Sequence, residues 1–390
     1  MTVTKEKVNA YYDAMVAWYM HLHQYPELSF EEVKTTAYIV EQLEKLGGFT
    51  LSYISTTGVI ADIQGGKRGK RIALRADIDC LAMQEKTDLP FESTIHGCMH
   101  GCGHDSHTAV LLGIAAYLSE HKEELPGAYR LLFQPAEEEP PGGAIEYVNG
   151  GALDDVDYVL GQHVMPFLPS GAIGIRKGPM MASSDNFRIS VDGRGGHASQ
   201  PHLTIDPIAI GTQIVTNLQQ IHSRELDPLE QLVISVTKFH SGTAVNVIPD
   251  KAVIEGSVRS YKDEVRTVAA RRIEEIAKGI AVAHGADATV DYLYGYDSTV
   301  NHDAVVEVVQ DVVREAYGDD ALPEIQPLMG AEDFSRYLRA KPGAFFFTGI
   351  YNEEKGCIHP IHNGLFKVDT DAMKQAAYVM LATAERLASE

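Results

Sequence analysis

Side chains of metal-ligand type are gathered in short segments that lie far apart in this 390-residue chain. They are His100-Gly101-Cys102-Gly103-His104-Asp105, Phe133-Gln134-Pro135-Ala136-Glu137-Glu138, a lone His163, and His362-Asn363-Gly364. A thiol, imidazoles and a carboxylate pair are what a hydrolytic metal centre needs: ligands to hold the ion, and one carboxylate to act on water. A centre shared by these segments obliges the end of the chain to return to the domain formed by its beginning. The middle unit from Asp185 onward, which carries no ligand-type cluster of its own, is then an insertion.

The local patterns fit that plan. Residues 8–46 read as helical, with a polar gap at Tyr25-Pro26-Glu27-Leu28. Strands are predicted at 59–63, 71–75, 129–134 and 158–163, with a helix over 106–119 capped by Asp105 or Ser106. Strands alternating with helices argue for an α/β domain with parallel strands and a site at their carboxyl ends. From Asp185 the order becomes strand 187–191, helix 206–224, strands 232–239 and 252–259, helix 264–284 and strand 288–294, a ferredoxin-like β-α-β-β-α-β unit. A helix at 303–317, a strand at 344–349 and a helix at 370–388 complete the first domain. The expected division is 1–183 with 298–390 for the metal-binding domain and 184–297 for the insertion.

Cys102 and His104 are two apart and, in an extended loop, face the same way. A structural zinc knot of Cys98, Cys102, His104 and His107, or a cysteine hydrolase with Cys102 as nucleophile, are competing readings; both leave Glu137 and Glu138 idle. Adjacent carboxylates repel and need a compensating positive charge, which a metal supplies. One can then ligate while the other takes a proton from water. The competing reading of Glu137-Glu138-Glu139 is a solvated acidic run. His163 is expected to end an apolar strand and His362 to sit in a loop.

The formal net charge of -21 disfavours nucleic acid and anionic membranes as partners, since both demand clustered cations. Four cysteines are too few for a disulfide scaffold. No signal peptide is evident, and a cytoplasmic protein is expected. The absence of HExxH, GxSxG and Walker signatures disfavours the zincin, α/β-hydrolase and P-loop classes.

Further segments complete a pattern: His23-Gln24-Tyr25-Pro26-Glu27-Leu28-Ser29, Arg75-Ala76-Asp77-Ile78-Asp79, Gly195-Gly196-His197-Ala198, Asn246-Val247-Ile248-Pro249 and Gly330-Ala331-Glu332-Asp333-Phe334. With the ligand segments, and in this order, they resemble the aminoacylase, hippurate hydrolase and auxin-conjugate hydrolase family of metal-dependent amidohydrolases. The resemblance implies a zinc-peptidase-like α/β catalytic domain, its mixed sheet flanked by helices, with an inserted ferredoxin-like lid. It implies Cys102, His104, Glu138, His163 and His362 as ligands of one or two divalent metals, and Glu137 as general base. It makes His197, Asn246 and Arg259 substrate and oxyanion contacts on the lid, with His197 reaching a partner's site in a homodimer or higher homo-oligomer. Related exopeptidases have His-x-Asp at Arg75-Ala76-Asp77 and a bridging Asp at Cys102, and His359 is a rival to His362. The implied reaction is hydrolysis of N-acyl amino acids. A metallo-dipeptidase or aminopeptidase, and a non-enzymatic module with structural zinc, are the alternatives. Thiolate, imidazole and carboxylate together favour zinc, with manganese, cobalt and nickel compatible.

Overall fold

The computed structural model describes residues 2–390. Its helices are α1 (Lys5–Asn9), α2 (Tyr12–Gln24), α3 (Val33–Leu46), α4 (His104–His121), α5 (Gly143–Asn149), α6 (Pro207–Gln220), α7 (Asp263–Ala283), α8 (Asp303–Tyr317), α9 (Ser335–Ala340) and α10 (Ala372–Ala388). Its strands are β1 (Thr50–Ser52), β2 (Val59–Gln64), β3 (Lys67–Asp77), β4 (Pro126–Gln134), β5 (Tyr158–Pro169), β6 (Ile173–Gly174), β7 (Gly178–Met181) and β8 (Asp185–Asp192). They continue with β9 (Gly196–His197), β10 (Leu232–Ser241), β11 (Val247–Ile248), β12 (Lys251–Ser260), β13 (Asp287–Tyr294), β14 (Thr299–Asn301) and β15 (Gly343–Tyr351).

The chain divides into two compact units. One comprises Met1–Met180, Val300–Gln326 and Asp333–Glu390, the other Met181–Thr299 and Pro327–Glu332. The larger holds a seven-stranded sheet in the order β1-β2-β4-β3-β5-β15-β6. Its centre, β4-β3-β5-β15, is parallel; the outer pairings β1-β2, β2-β4 and β15-β6 are antiparallel. The sheet is thus mixed, with the parallel strands buried at its middle. Helix α4 is buried at every residue from His104 to Leu118, which explains an apolar run with no polar face. It packs on β3 and among α2, α3 and α10.

Two local readings need correction. Helix α4 begins at His104 rather than 106, so Cys102 and His104 do not lie on one extended stretch. Gly103 is its N-cap at φ 91°, a left-handed conformation, and a Cβ there would stand 2.4 Å from Val164 Cγ2. Asp105 does not cap the helix; its carboxylate is held by His23 and by the amide of Ser106. His163 does not end its strand: β5 runs to Pro169, because β15 pairs with it through Tyr351↔Pro169.

In the smaller unit a four-stranded antiparallel sheet runs β10-β12-β8-β13. Alternation buries Phe187, Ile189 and Val191 of β8 and Ala252, Ile254 and Val258 of β12 in one core. Helices α6 and α7 contribute Ile210, Ile214, Ala269 and Ile273 to it. This strand order and the β-α-β-β-α-β succession are ferredoxin-like. Asp206 caps α6 by accepting from Ile208 N and Ala209 N, with Pro207 in the first turn. The predicted helix through Arg224 leaves α geometry after Gln220, where Ile221–Glu225 form a π-turn.

Candidate metal centre

The parallel strands carry the ligand-type residues to the same end of the larger sheet. Asp77 closes β3, Glu137 and Glu138 follow β4, and His163 lies on β5 level with Phe347 of β15. The late segment is fastened to the early loop by one backbone bond, His362 N to Gly101 O at 2.8 Å. His362 holds φ 60°, which aims a half-exposed ring back toward Glu138, with Nε2 3.4 Å from Oε1.

The donor atoms cluster as overlapping triads: Cys102 with His104 and His163, Cys102 with Glu138 and His362, and His104 with Glu137 and Glu138. Within each triad the atoms lie within 4.8 Å of one another. The first two share Cys102 Sγ, which stands 3.2 Å from His163 Nε2. His359 joins none of the clusters found among the described residues.

The surroundings fix each ring. His104 Nδ1 meets the Asp79 carboxylate and carbonyl, each at 3.0 Å, which leaves Nε2 facing the cluster. His163 Nδ1 donates to Val164 O at 2.7 Å, leaving its Nε2 lone pair toward Cys102. Asp79 is held in turn by Ser29 Oγ at 2.7 Å and by the Glu138 amide at 2.9 Å. Partners of this kind orient metal-bound imidazoles and raise their basicity.

A divalent cation fits this set on two grounds. His104 Nε2 and Glu138 Oε1 are buried without a hydrogen-bond partner, 3.9 Å apart. Such atoms are costly unless something satisfies them. The second ground is charge. Burial alone would lower the His104 pKa, yet Asp77, Asp79 and Glu138 outweigh it and raise it to about 10. Burial, with Glu138, Glu137 and Asp77, pushes the Cys102 thiol well above its usual value. A cation supplies the missing positive charge and reverses that penalty on the thiolate.

His107 lies outside the ligand set. Its Nδ1 donates to Asp77 at 2.6 Å and its Nε2 accepts from Val164 N at 3.0 Å, so both nitrogens are spent. The zinc knot that requires it is therefore not formed. Beneath the centre, Arg75 is fully buried and donates to Gln134, Asp77 and Asp333 at 2.8, 2.6 and 2.7 Å. Burial lifts the Asp333 carboxyl to about 6, against the lowering by Arg75 and the Ala144 amide, and it accepts from Arg75, Gln134 and Ala144 N. The Arg75-x-Asp77 segment is thus a buried anchor for the strand end. His100 stands apart: buried, with no partner at either nitrogen, it is held neutral by burial at about 4.

The other predicted site residues lie in the smaller unit. His197 pairs with Val247 in the two-stranded β9-β11 ladder, and Ala198 N donates to Asn246 O, so His197 and Asn246 are neighbours. Both are exposed. His197 Nδ1 accepts from Ser199 N at 3.1 Å, which places the ring proton on Nε2 and makes that exposed atom a donor. Arg259 is half-buried on β12, away from the ladder in sequence and sheet.

Comparison with known proteins gives the architecture its place. Residues 73–386 match the model of peptidase family M20/M25/M40. The chain belongs to this family. It is 44% identical over 359 residues to thermostable carboxypeptidase 1 of Saccharolobus solfataricus, covering 91% of each chain. It is 47% identical over 305 residues to an N-acyl-L-amino acid amidohydrolase of Geobacillus stearothermophilus, covering 77% of this chain and 82% of that one. A Bacillus subtilis dinuclear metal binding peptidase of family M20 superposes with a TM-score of 0.85 at 35% identity, covering 98% and 99%. As an M20 member the protein is a hydrolase of amide bonds, and its candidate ligand groups, with the dinuclear relative, support divalent metal. Among the described residues no helix is long and apolar enough to cross a membrane.

Proposed function

We propose that this M20 protein is a metal-dependent amidohydrolase that cleaves N-acyl amino acids to the free amino acid and a carboxylic acid. The observation that carries the reading is the pair of ligand triads meeting at Cys102, with Glu137 beside Glu138 at their edge. The names of the relatives support the substrate class. An N-acyl amino acid amidohydrolase and a carboxypeptidase both expel an amino acid with a free α-carboxylate; they differ in the acyl side. A peptide is accordingly the second reading of the substrate, favoured by the carboxypeptidase relative. A dipeptidase or aminopeptidase would need, in addition, a group to receive a free α-amine.

In this reading Cys102, His104 and His163 hold one ion and Cys102, Glu138 and His362 a second. Zinc is the metal favoured by thiolate and imidazole, with manganese, cobalt and nickel compatible. Bound there, it lowers the pKa of water and polarises the amide carbonyl. Glu137 takes the proton from water and delivers it to the leaving amine. His197 Nε2–H donates to the developing oxyanion, and Arg259 pairs with the substrate carboxylate, with Asn246 as a further donor. His197 acts either within its own chain or from the partner subunit of a homodimer. Four unpaired cysteines accord with a reducing, cytoplasmic setting.

Glu137→Gln tests the core of the reading. It should retain metal by elemental analysis while amino acid release from an N-acyl amino acid panel falls by about 10²–10⁴. Normal turnover in the metal-loaded variant would remove Glu137 from the reaction. Chelation should abolish release and leave the circular dichroism spectrum folded; unfolding instead would favour a structural-zinc module. Mixing His197→Ala with Glu137→Gln subunits should restore activity if the site is shared between chains. No recovery with exchange confirmed would assign His197 to its own chain.

A further inference from the structure

A cavity of about 450 Å³ opens on the larger unit at the edge of its sheet, and none of its lining residues belongs to the metal centre. Asn301 places it in the fold. Its Nδ2 donates to Phe345 O at 2.8 Å and to Arg176 O at 3.1 Å, so Arg176 sits level with Phe345 near the start of β15. His163 is level with Phe347, further toward the carboxyl end. The cavity therefore lies at the amino-end side of the sheet edge, away from the ligand segments.

Its walls are unusual for a chain of net charge -21. Arg176, Lys177 and Arg314 line it, against one acid, Glu324. Lys177 is paired with Glu307 at 2.5 Å, and Arg314 with Asp311 and Asp319 at 3.3 Å, all on solvent-exposed side chains. Exposed pairs of this kind are weak and exchangeable. Arg176 differs: its Nε is buried without a hydrogen-bond partner, and its guanidinium forms no ion pair among the described residues. A guanidinium that lines a cavity and forms no ion pair offers its terminal N–H groups to an acceptor, and its fork fits a carboxylate or phosphate in two-point contact. Gln310, one turn before Arg314 on α8, adds an amide, and half-buried Leu322 and Pro323 add an apolar surface.

We infer that this cavity is a binding site for a small organic oxyanion, a carboxylate or phosphate head on an apolar body, seated on Arg176. The volume favours an organic body over a bare inorganic ion, since sites of about 300–1,000 Å³ enclose small molecules. The inference needs no assumption about the substrate of the metal centre.

Titration calorimetry of the metal-loaded protein with benzoate, phenyl phosphate, inorganic phosphate and neutral benzamide tests it. Benzoate or phenyl phosphate should bind at a site that Arg176→Met weakens about tenfold or more, with amide hydrolysis unchanged. Benzoate against phenyl phosphate distinguishes the two heads. Binding of benzamide as tight as benzoate, or anion binding indifferent to Arg176→Met, would overturn the site. So would inorganic phosphate alone binding as tightly as phenyl phosphate, since the apolar wall then contributes nothing. Should Arg176→Met lose its fold, Glu324→Gln provides a second reading. Removing the one acid should tighten the anion about two- to fivefold, and unchanged affinity counts against the proposal.

Discussion

The ligand cluster of the larger unit and the β9-β11 ladder of the smaller one are built on opposite plans. In the ligand cluster the rings of His104 and His163 are buried, and the inward-facing nitrogen of each is selected by what the other nitrogen touches: Asp79 for His104, a backbone carbonyl for His163. His197 stands exposed on a ladder only two residues long per strand, and exposed Asn246 lies just before its second strand. On the proposed function, the contrast follows from what each would meet. A cation is small and always the same, so its donors gain from being fixed in advance. A substrate varies and must enter and leave, so its donors gain from access.

The comparison is most severely tested at the atom where the triads meet. Cys102→Ser should remove the sulfur common to both, lowering metal content and cutting turnover by about a thousandfold or more. Loss of half the metal with residual turnover would instead mean that the triads are independent. On the exposed side, His197→Ala should lower turnover by about a hundredfold without touching metal content. A fall in bound metal there would erase the distinction between the two regions. Asp79→Asn probes the fixed shell alone: no ligand changes, yet metal affinity should weaken about ten- to a hundredfold, read by competition with a chelator.

The smallest effect concerns stability. His23 is buried between Asp105 at 2.7 Å and Glu85 at 2.9 Å. Burial alone would lower its pKa, but those carboxylates outweigh it and raise it to about 9. An unfolded imidazole titrates near its ordinary value of about 6.5. Because the folded value is the higher one, the contribution is complete below about pH 6.5 and is lost as pH rises through about 9. Thermal midpoints of the wild type should therefore fall over that window more than those of His23→Gln. Parallel curves would mean that the imidazole is neutral throughout.

What could be read from the residues divides along physical lines. The donor segments at 100–105 and 133–138 were legible because their chemistry sits in adjacent residues, whereas lone His163 joins them only through the fold; helix 303–317 was legible because its apolar face repeats over a full helix. The supporting shell was not. Arg75 and Asp333 lie 258 positions apart, and His107 and Asp77 lie 30 apart, with no local pattern to pair them. His107 looked like a ligand by type; only its two spent nitrogens exclude it. The continuation of β5 past His163 was hidden for the same reason, since a strand's end is set by its partner, β15, from far along the chain. The cavity at Arg176 has no motif at all, because its cations come from a sheet edge and from α8.

Asp79 has one further consequence. It binds the His104 ring, the Glu138 amide and the Ser29 hydroxyl, and the neighbouring Cys80 amide donates to Glu27 O at 2.9 Å. The turn between α2 and α3 thus hangs from the same carboxylate that steadies two of the proposed ligands, although it contains none itself. Loading the ion and closing that turn are then coupled equilibria, each favouring the other. Stripped of metal, the protein should exchange amide hydrogens faster through residues 27–33 than in the central strands. Occupancy of the centre would be legible as solvent protection in a turn that never touches the ion.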